Sequence, residues 1–118
     1  MSSEINTGNL TAHPFIAPDE SYLIWDSERE GGYGASDLYI SFQHKNGSWG
    51  PAINMGNKVN SEQGDTYASV TPDGKHLLFN RRIDGSNTDI YWIDAQIIET
   101  LRVKYESQKR KQPRYKVD

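Results

Sequence analysis

The sequence predicts an all-β fold: two copies of one sheet unit followed by a C-terminal helix. Three observations carry that reading. Sliding the chain by 54 residues places Ile5-Asn6-Thr7 on Val59-Asn60-Ser61, Ile16 on Val70, Pro18-Asp19 on Pro72-Asp73, and Leu23-Ile24-Trp25 on Leu77-Leu78-Phe79. After a shortening of two residues the match resumes at 52, with Ser36-Asp37-Leu38-Tyr39-Ile40 on Thr88-Asp89-Ile90-Tyr91-Trp92. Self-similarity at a fixed period of this length marks a repeat architecture. Before Ile93 the apolar residues fall in short runs rich in aliphatic and aromatic types, separated by turn residues, with no helical period.

The elements follow in order. Pro14 to Ala17 is an extended run, and Pro18-Asp19-Glu20-Ser21 is a turn in which proline fixes φ and the polar residues bond locally. Its second copy, Thr71-Pro72-Asp73-Gly74-Lys75, is a stronger turn because glycine supplies positive φ. Tyr22 to Asp26 and His76 to Arg81 are the second strands, and Asp37 to Phe42 and Asp89 to Ile93 the third. Asn46-Gly47 is a hairpin signal leading into Ser48-Trp49 and a fourth strand that reaches about Met55, with no counterpart in the second unit. From Asp94 the period changes: Asp94 caps, Ile93 and Ile98 stand at the positions of a hydrophobic staple, and Ile97, Ile98, Leu101 and Tyr105 share one face. A helix is predicted over about 95 to 109, its apolar stripe a lid on the last strands. The organisation is then residues 1–93 for the repeated segment (first unit about 5–58, second about 59–93), 94–110 for the helix and 111–118 for a basic tail.

Composition narrows the function. With 118 residues there is room for one domain. A hydrophobic share of 35% and a mean hydropathy of −0.80 describe a strongly wetted chain. The absence of cysteine excludes a disulfide scaffold, a thiolate metal site and a cysteine nucleophile. No apolar run approaches the roughly 18 residues of a membrane span, and the first residues lack the basic and apolar segments of a secretory leader. As written, the chain reads as cytoplasmic, without membrane insertion. The net charge of −3 divides into +5 over residues 102–118 and −8 over residues 1–101. The acidic body argues against nucleic acid as the main ligand, and the basic tail reads as solvated rather than as a binding arm.

The unit made of Pro-Asp-Gly-Lys, an aliphatic strand ending in an aromatic, a Gly-rich loop and Asp-aliphatic-Tyr resembles the TolB-type β-propeller repeat, a WD40-like blade. Here it reads Ala17-Pro18-Asp19-Glu20-Ser21-Tyr22-Leu23-Ile24-Trp25 with Ser36-Asp37-Leu38-Tyr39, and Thr71-Pro72-Asp73-Gly74-Lys75-His76-Leu77-Leu78-Phe79 with Thr88-Asp89-Ile90-Tyr91. The first copy departs from the pattern with Glu20-Ser21 where Gly-Lys is usual. The resemblance covers about residues 5 to 100 and implies two four-stranded-type blades, the second lacking its own outer strand. Two blades are too few to close a ring. Either the chain is a stretch of a longer propeller, or copies assemble head to tail, three of them giving the six blades usual in TolB-like proteins; a homotrimer is the favoured reading.

In such a blade the connections between strands two and three, and between one blade and the next, emerge on one rim. That collects the stretches 26–35, 56–66 and 80–87. Arg29, Arg81 and Arg82 are candidates to meet an acidic partner, while Asp26, Glu28, Glu30 and Asp65 could hold a basic segment or a cation. Tyr33 lies in the same Gly-rich loop. His13, just before the first inner strand, aligns with Tyr67, and the two are read as part of a polar ring at a channel mouth. The repetition of Asp37 as Asp89 points to backbone bonding rather than catalysis. Trp25, Trp49, Trp92, Tyr39 and Tyr91 are read as packing between blades.

No Gly-x-Ser-x-Gly elbow, phosphate loop or His-Glu-x-x-His occurs. The expectation is a non-enzymatic interaction module without cofactor or metal, binding itself and a protein segment or small polar ligand. Two alternatives stand beside it: a hydrolase-like enzyme with a composite site in the assembled channel, and a propeller fragment with no independent role.

Overall fold

The computed structural model describes residues 11–28, 32, 34, 36–84 and 87–110. Strands β1 (Thr11–Ile16), β2 (Tyr22–Ser27), β3 (Asp37–Phe42) and β4 (Ile53–Asn54) form one antiparallel sheet in chain order. Strands β5 (Asp65–Val70), β6 (His76–Arg82) and β7 (Thr88–Asp94) form a second, and helix α1 (Gln96–Arg110) follows. The chain is thus mostly β, with antiparallel sheets of four and three strands and one C-terminal helix.

The repeat extends to details of register. In β1 an extra residue falls between Ala12 and Phe15, and in β5 one falls between Thr66 and Ser69. Each is a bulge, and the residue that turns there, His13 in one sheet and Tyr67 in the other, takes a left-handed φ of 53° or 57°. The turns after β1 and β5 match as well: Glu20 has φ 62° where its counterpart Gly74 has φ 76°. The departure from the repeat pattern at Glu20 changes the residue and keeps the turn.

Two differences from the sequence reading have physical causes. The first strand begins at Thr11 rather than Pro14, because the bulge lets the chain keep pairing with β2 on both sides of His13. The fourth strand is two residues long instead of running from Ser48 to Met55. Only an isolated bridge between Gln43 and Trp49 precedes it, and Pro51 has no N–H to continue a ladder. The helix begins at Gln96, whose N–H is capped by Asp94 Oδ1 at 2.8 Å.

The sheets pack face to face. From the first come Ile24, Leu38, Ile40 and Phe42, from the second Ala68, Leu77 and Phe79, with Met55 and Val59 between them and Ala95 and Ile98 closing one end. Period-two alternation sends Leu23, Trp25 and Tyr39 to the far face of the first sheet, where they cluster with Trp49 and Ala52. Tyr105 ties α1 to the first sheet: its ring lies 6.2 Å from Phe42 and its hydroxyl is 2.9 Å from His44 Nε2. Burial raises the Tyr105 pKa, with Glu106 adding to the effect.

The repeat is broken in one respect. Strand β3 is buried at all six positions, whereas β7, its counterpart, is exposed at every position except Ile93. Ile90 and Trp92, which correspond to the wholly buried Leu38 and Ile40, are 73% and 63% exposed.

Candidate functional site at the junction of the two sheets

A buried carboxylate joins the sheets. Asp26, near the end of β2, lies 2.8 Å by Oδ2 and 3.1 Å by Oδ1 from Nδ1 of His13. The same Oδ2 accepts the backbone N–H of Tyr67 at 3.1 Å from the second sheet. The His13 and Tyr67 rings lie against each other with centroids 3.6 Å apart and planes tilted by 31°. The two bulges therefore aim their side chains at each other across the sheet junction, and Asp26 holds both. Sequence alignment had paired His13 with Tyr67 as equivalents, and the structure brings them into contact.

A second carboxylate lies beside the connection from β4 to β5. Asp65 is completely buried, accepts Ser61 N–H at 2.6 Å and Ser61 Oγ–H at 3.0 Å, and pairs with Arg81 Nε at 2.8 Å. Arg81 also donates to the Val59 carbonyl at 2.8 Å, while its guanidinium sits 4.6 Å from the Tyr91 ring centroid. Both charges are directed at each other within the molecule. Gly34 lies close to this connection: a Cβ there would come within 2.8 Å of the Glu62 backbone, so only glycine lets the loop after β2 approach.

The three predicted rim stretches do meet. Glu28, Gln63, Thr66, Arg82 and Thr88 are among the residues lining a cavity of about 170 Å³. It carries one acid and one base, and Arg82 is exposed. Of the predicted site residues, His13, Asp26 and Tyr67 form one cluster, Asp65 and Arg81 a second, and Glu28 and Arg82 border the cavity. Arg29, Glu30 and Tyr33 lie outside the described residues. Among the described residues no group of three or more His, Asp or Glu side chains is placed to hold a metal ion.

Sequence reasoning did not single out Asn60, whose buried side chain ties the connection from β4 to β5 onto β3 and β4. Its Oδ1 accepts the Leu38 N–H at 2.6 Å, and its Nδ2 donates to the Leu38 carbonyl at 3.0 Å and to Asn54 Oδ1 at 2.8 Å. The signal was available, since Asn6 repeats it. Asp37 accepts Gly34 N–H at 3.1 Å and an Asn54 amide hydrogen at 3.0 Å, the backbone bonding expected of it, whereas its repeat Asp89 is exposed on β7.

Two antiparallel sheets with a carboxylate-centred junction and a small mixed-charge rim define a β-rich scaffold. In comparisons with known proteins, no family model, no curated protein and no solved structure matches the chain.

Proposed function

We propose that the chain is a non-enzymatic interaction module of the TolB-like β-propeller type. It completes itself with further copies, three chains making six blades, and its loop rim or central channel receives a protein segment or a small polar ligand. The observation that carries this reading is the contrast between β3 and β7. A strand whose counterpart is buried on both faces and paired on both edges, yet which itself exposes Ile90 and Trp92, is built for a covering that the described residues do not supply. Exposed sheet edges are an aggregation hazard unless something pairs with them, and a head-to-tail contact that closes on itself removes the hazard.

The pairing of the rim charges fits a binding role better than catalysis, because Asp65 and Arg81 are engaged with each other and leave Glu28 and Arg82 at the cavity. One observation favours the enzymatic alternative: a buried carboxylate orienting an imidazole, as Asp26 holds His13, is how a general base is positioned. Hydrolysis of chromogenic esters and glycosides that is lost in His13→Ala would support that alternative. For the main reading the test is the mass of the untagged chain by light scattering over a hundredfold concentration range. A species of about 40 kDa, three times the chain mass of 13.4 kDa, is expected. A monomer throughout would overturn the assembly.

A further inference from the structure

The seam between the two sheets of one chain describes a second seam that the chain does not make with itself. Three features build the internal seam. Val59 is wholly buried between the sheets. The Asn60 side chain closes on both the N–H and the C=O of Leu38, at the edge of β3 that faces away from β2. Finally, the Asp65 N–H donates to the Ser36 carbonyl at 2.8 Å. The segment 59–65 thus runs past the outer edge of β3, stitched at its two ends.

Each member of this seam has a repeat counterpart. On the receiving side Leu38 corresponds to Ile90, Ile40 to Trp92 and Ser36 to Thr88, all in β7. On the donating side Val59, Asn60 and Asp65 correspond to Ile5, Asn6 and Thr11. The register is preserved as well as the residue types: Leu38 pairs with Asp26 and Ile90 with Asn80, the same offset in both sheets. The edge of β7 away from β6 therefore presents the Ile90 peptide group as β3 presents that of Leu38, and no described strand pairs there. Among the described residues the β7 face that carries Ile90 and Trp92 is bare, whereas Leu23, Trp25 and Tyr39 on the far face of the first sheet are buried.

We propose that residues 5–11 of one copy run along the β7 edge of another, the Asn6 amide closing on the Ile90 peptide group and the Thr11 N–H on the Thr88 carbonyl. Ile5 then joins Ile90 and Trp92 as Val59 joins Leu38 and Ile40 in the core cluster of the internal seam. This assignment rests on the self-assembly proposed above and names its contact. A second copy is the occupant because the contact continues an interface the chain already contains, with the same two side-chain amide bonds available in the same order.

The chain has no cysteine, so Thr88→Cys introduces a unique site on exposed β7 for a benzophenone maleimide. Labelled protein is mixed with ¹⁵N-enriched unmodified chain, irradiated and digested. Cross-links from position 88 to ¹⁵N peptides containing residues 5–11 are expected. In parallel, Asn6→Ala should weaken assembly about tenfold or more by sedimentation, since two hydrogen bonds to backbone are lost at each contact, while Ser3→Ala leaves it unchanged. A wild-type chain that stays monomeric would sink both the assembly and this contact. A wild-type chain that assembles while Asn6→Ala assembles equally well, or cross-links that fall on other segments or other proteins, would overturn the contact and leave the assembly standing.

Discussion

His13 and Tyr67 hold the same position in their two sheets and their rings touch, each at the extra residue of a bulge with positive φ. Left-handed backbone costs a residue with a Cβ roughly 1–2 kcal/mol. Such strain persists where surrounding structure over-determines it. Here the determinant is Asp26, which takes His13 Nδ1 from one bulge and the Tyr67 N–H from the other. One carboxylate thus ties the two bulges together across the sheet junction.

Removing that carboxylate should loosen the junction. Asp26→Ala leaves the Tyr67 N–H and the His13 imidazole without their acceptor and is expected to cost about 2–3 kcal/mol. Asp26→Asn, which keeps an oxygen for the Tyr67 N–H, is expected to cost about 1 kcal/mol. Urea unfolding of the two variants checks the order; equal and negligible losses would contradict the role assigned to Asp26.

The Asp65–Arg81 pair differs from a surface ion pair. Arg81→Ala strands a fully buried carboxylate and is expected to cost about 3–5 kcal/mol. Arg81→Lys should recover little, because an ammonium cannot replace both the Nε bond to Asp65 and the donation to the Val59 carbonyl. By contrast Glu99, half-exposed and 3.5 Å from Arg102, should tolerate alanine within about 0.5 kcal/mol. Thermal melts of the three variants give the comparison.

Glu20 occupies a left-handed position that glycine fills in the second sheet. Glu20→Gly relieves roughly 1–2 kcal/mol of backbone strain and gives back about 0.5–1 kcal/mol of unfolded-state entropy. A net gain of a few tenths to about 1 kcal/mol in chemical denaturation is expected. A loss of stability would show that the Glu20 side chain does more than occupy the turn.

Repeated turns should also leave a trace at acid pH. Asp19 Oδ1 accepts the Ser21 hydroxyl at 2.7 Å and the Ser21 N–H at 3.0 Å, and Asp73 Oδ1 accepts the Thr71 hydroxyl at 2.6 Å and the Lys75 N–H at 3.0 Å. In each case the hydroxyl is the largest cause holding the carboxyl below its ordinary 3.8. The folded chain thus binds protons less readily than the unfolded one at these sites. Their contribution is fully present above the unfolded pKa and is lost as pH falls through the lowered folded values. In the double variant Asp19→Asn, Asp73→Asn, Tm should fall less steeply below about pH 4 than in the parent. Both turns are exposed, so the difference is small; identical pH profiles would contradict the assignment.

Much of the fold was legible because the repeat acts on backbone geometry. Pro18-Asp19 and Pro72-Asp73 mark equivalent turns, and Leu23-Ile24-Trp25 and Leu77-Leu78-Phe79 give strands with the same two faces. Pairing depended on less visible features. The bulges at His13 and Tyr67 leave no glycine to mark their positive φ, and β1 therefore starts three residues before the extended run that the sequence shows. Pro51 cut β4 to two residues, a local effect that the apolar character of Ile53 and Met55 concealed. In the candidate site, His13 and Tyr67 were paired by alignment, but their contact and the part played by Asp26 arise from packing between sheets. In the sequence Asp65 and Arg81 are loop charges open to local ion pairing or to a partner; they pair with each other because the register sets Asp65 directly opposite Arg81.

Hydrogen exchange distinguishes an interface strand from a bare one at β7. The Ile90 amide corresponds to that of Leu38, whose N–H is closed by Asn60 Oδ1 at the outer edge of β3. It should exchange slowly at high protein concentration and lose that protection on dilution, while β6 stays protected throughout. Fast exchange at Ile90 at every concentration, in a chain whose β2 and β3 remain protected, would contradict self-assembly through β7.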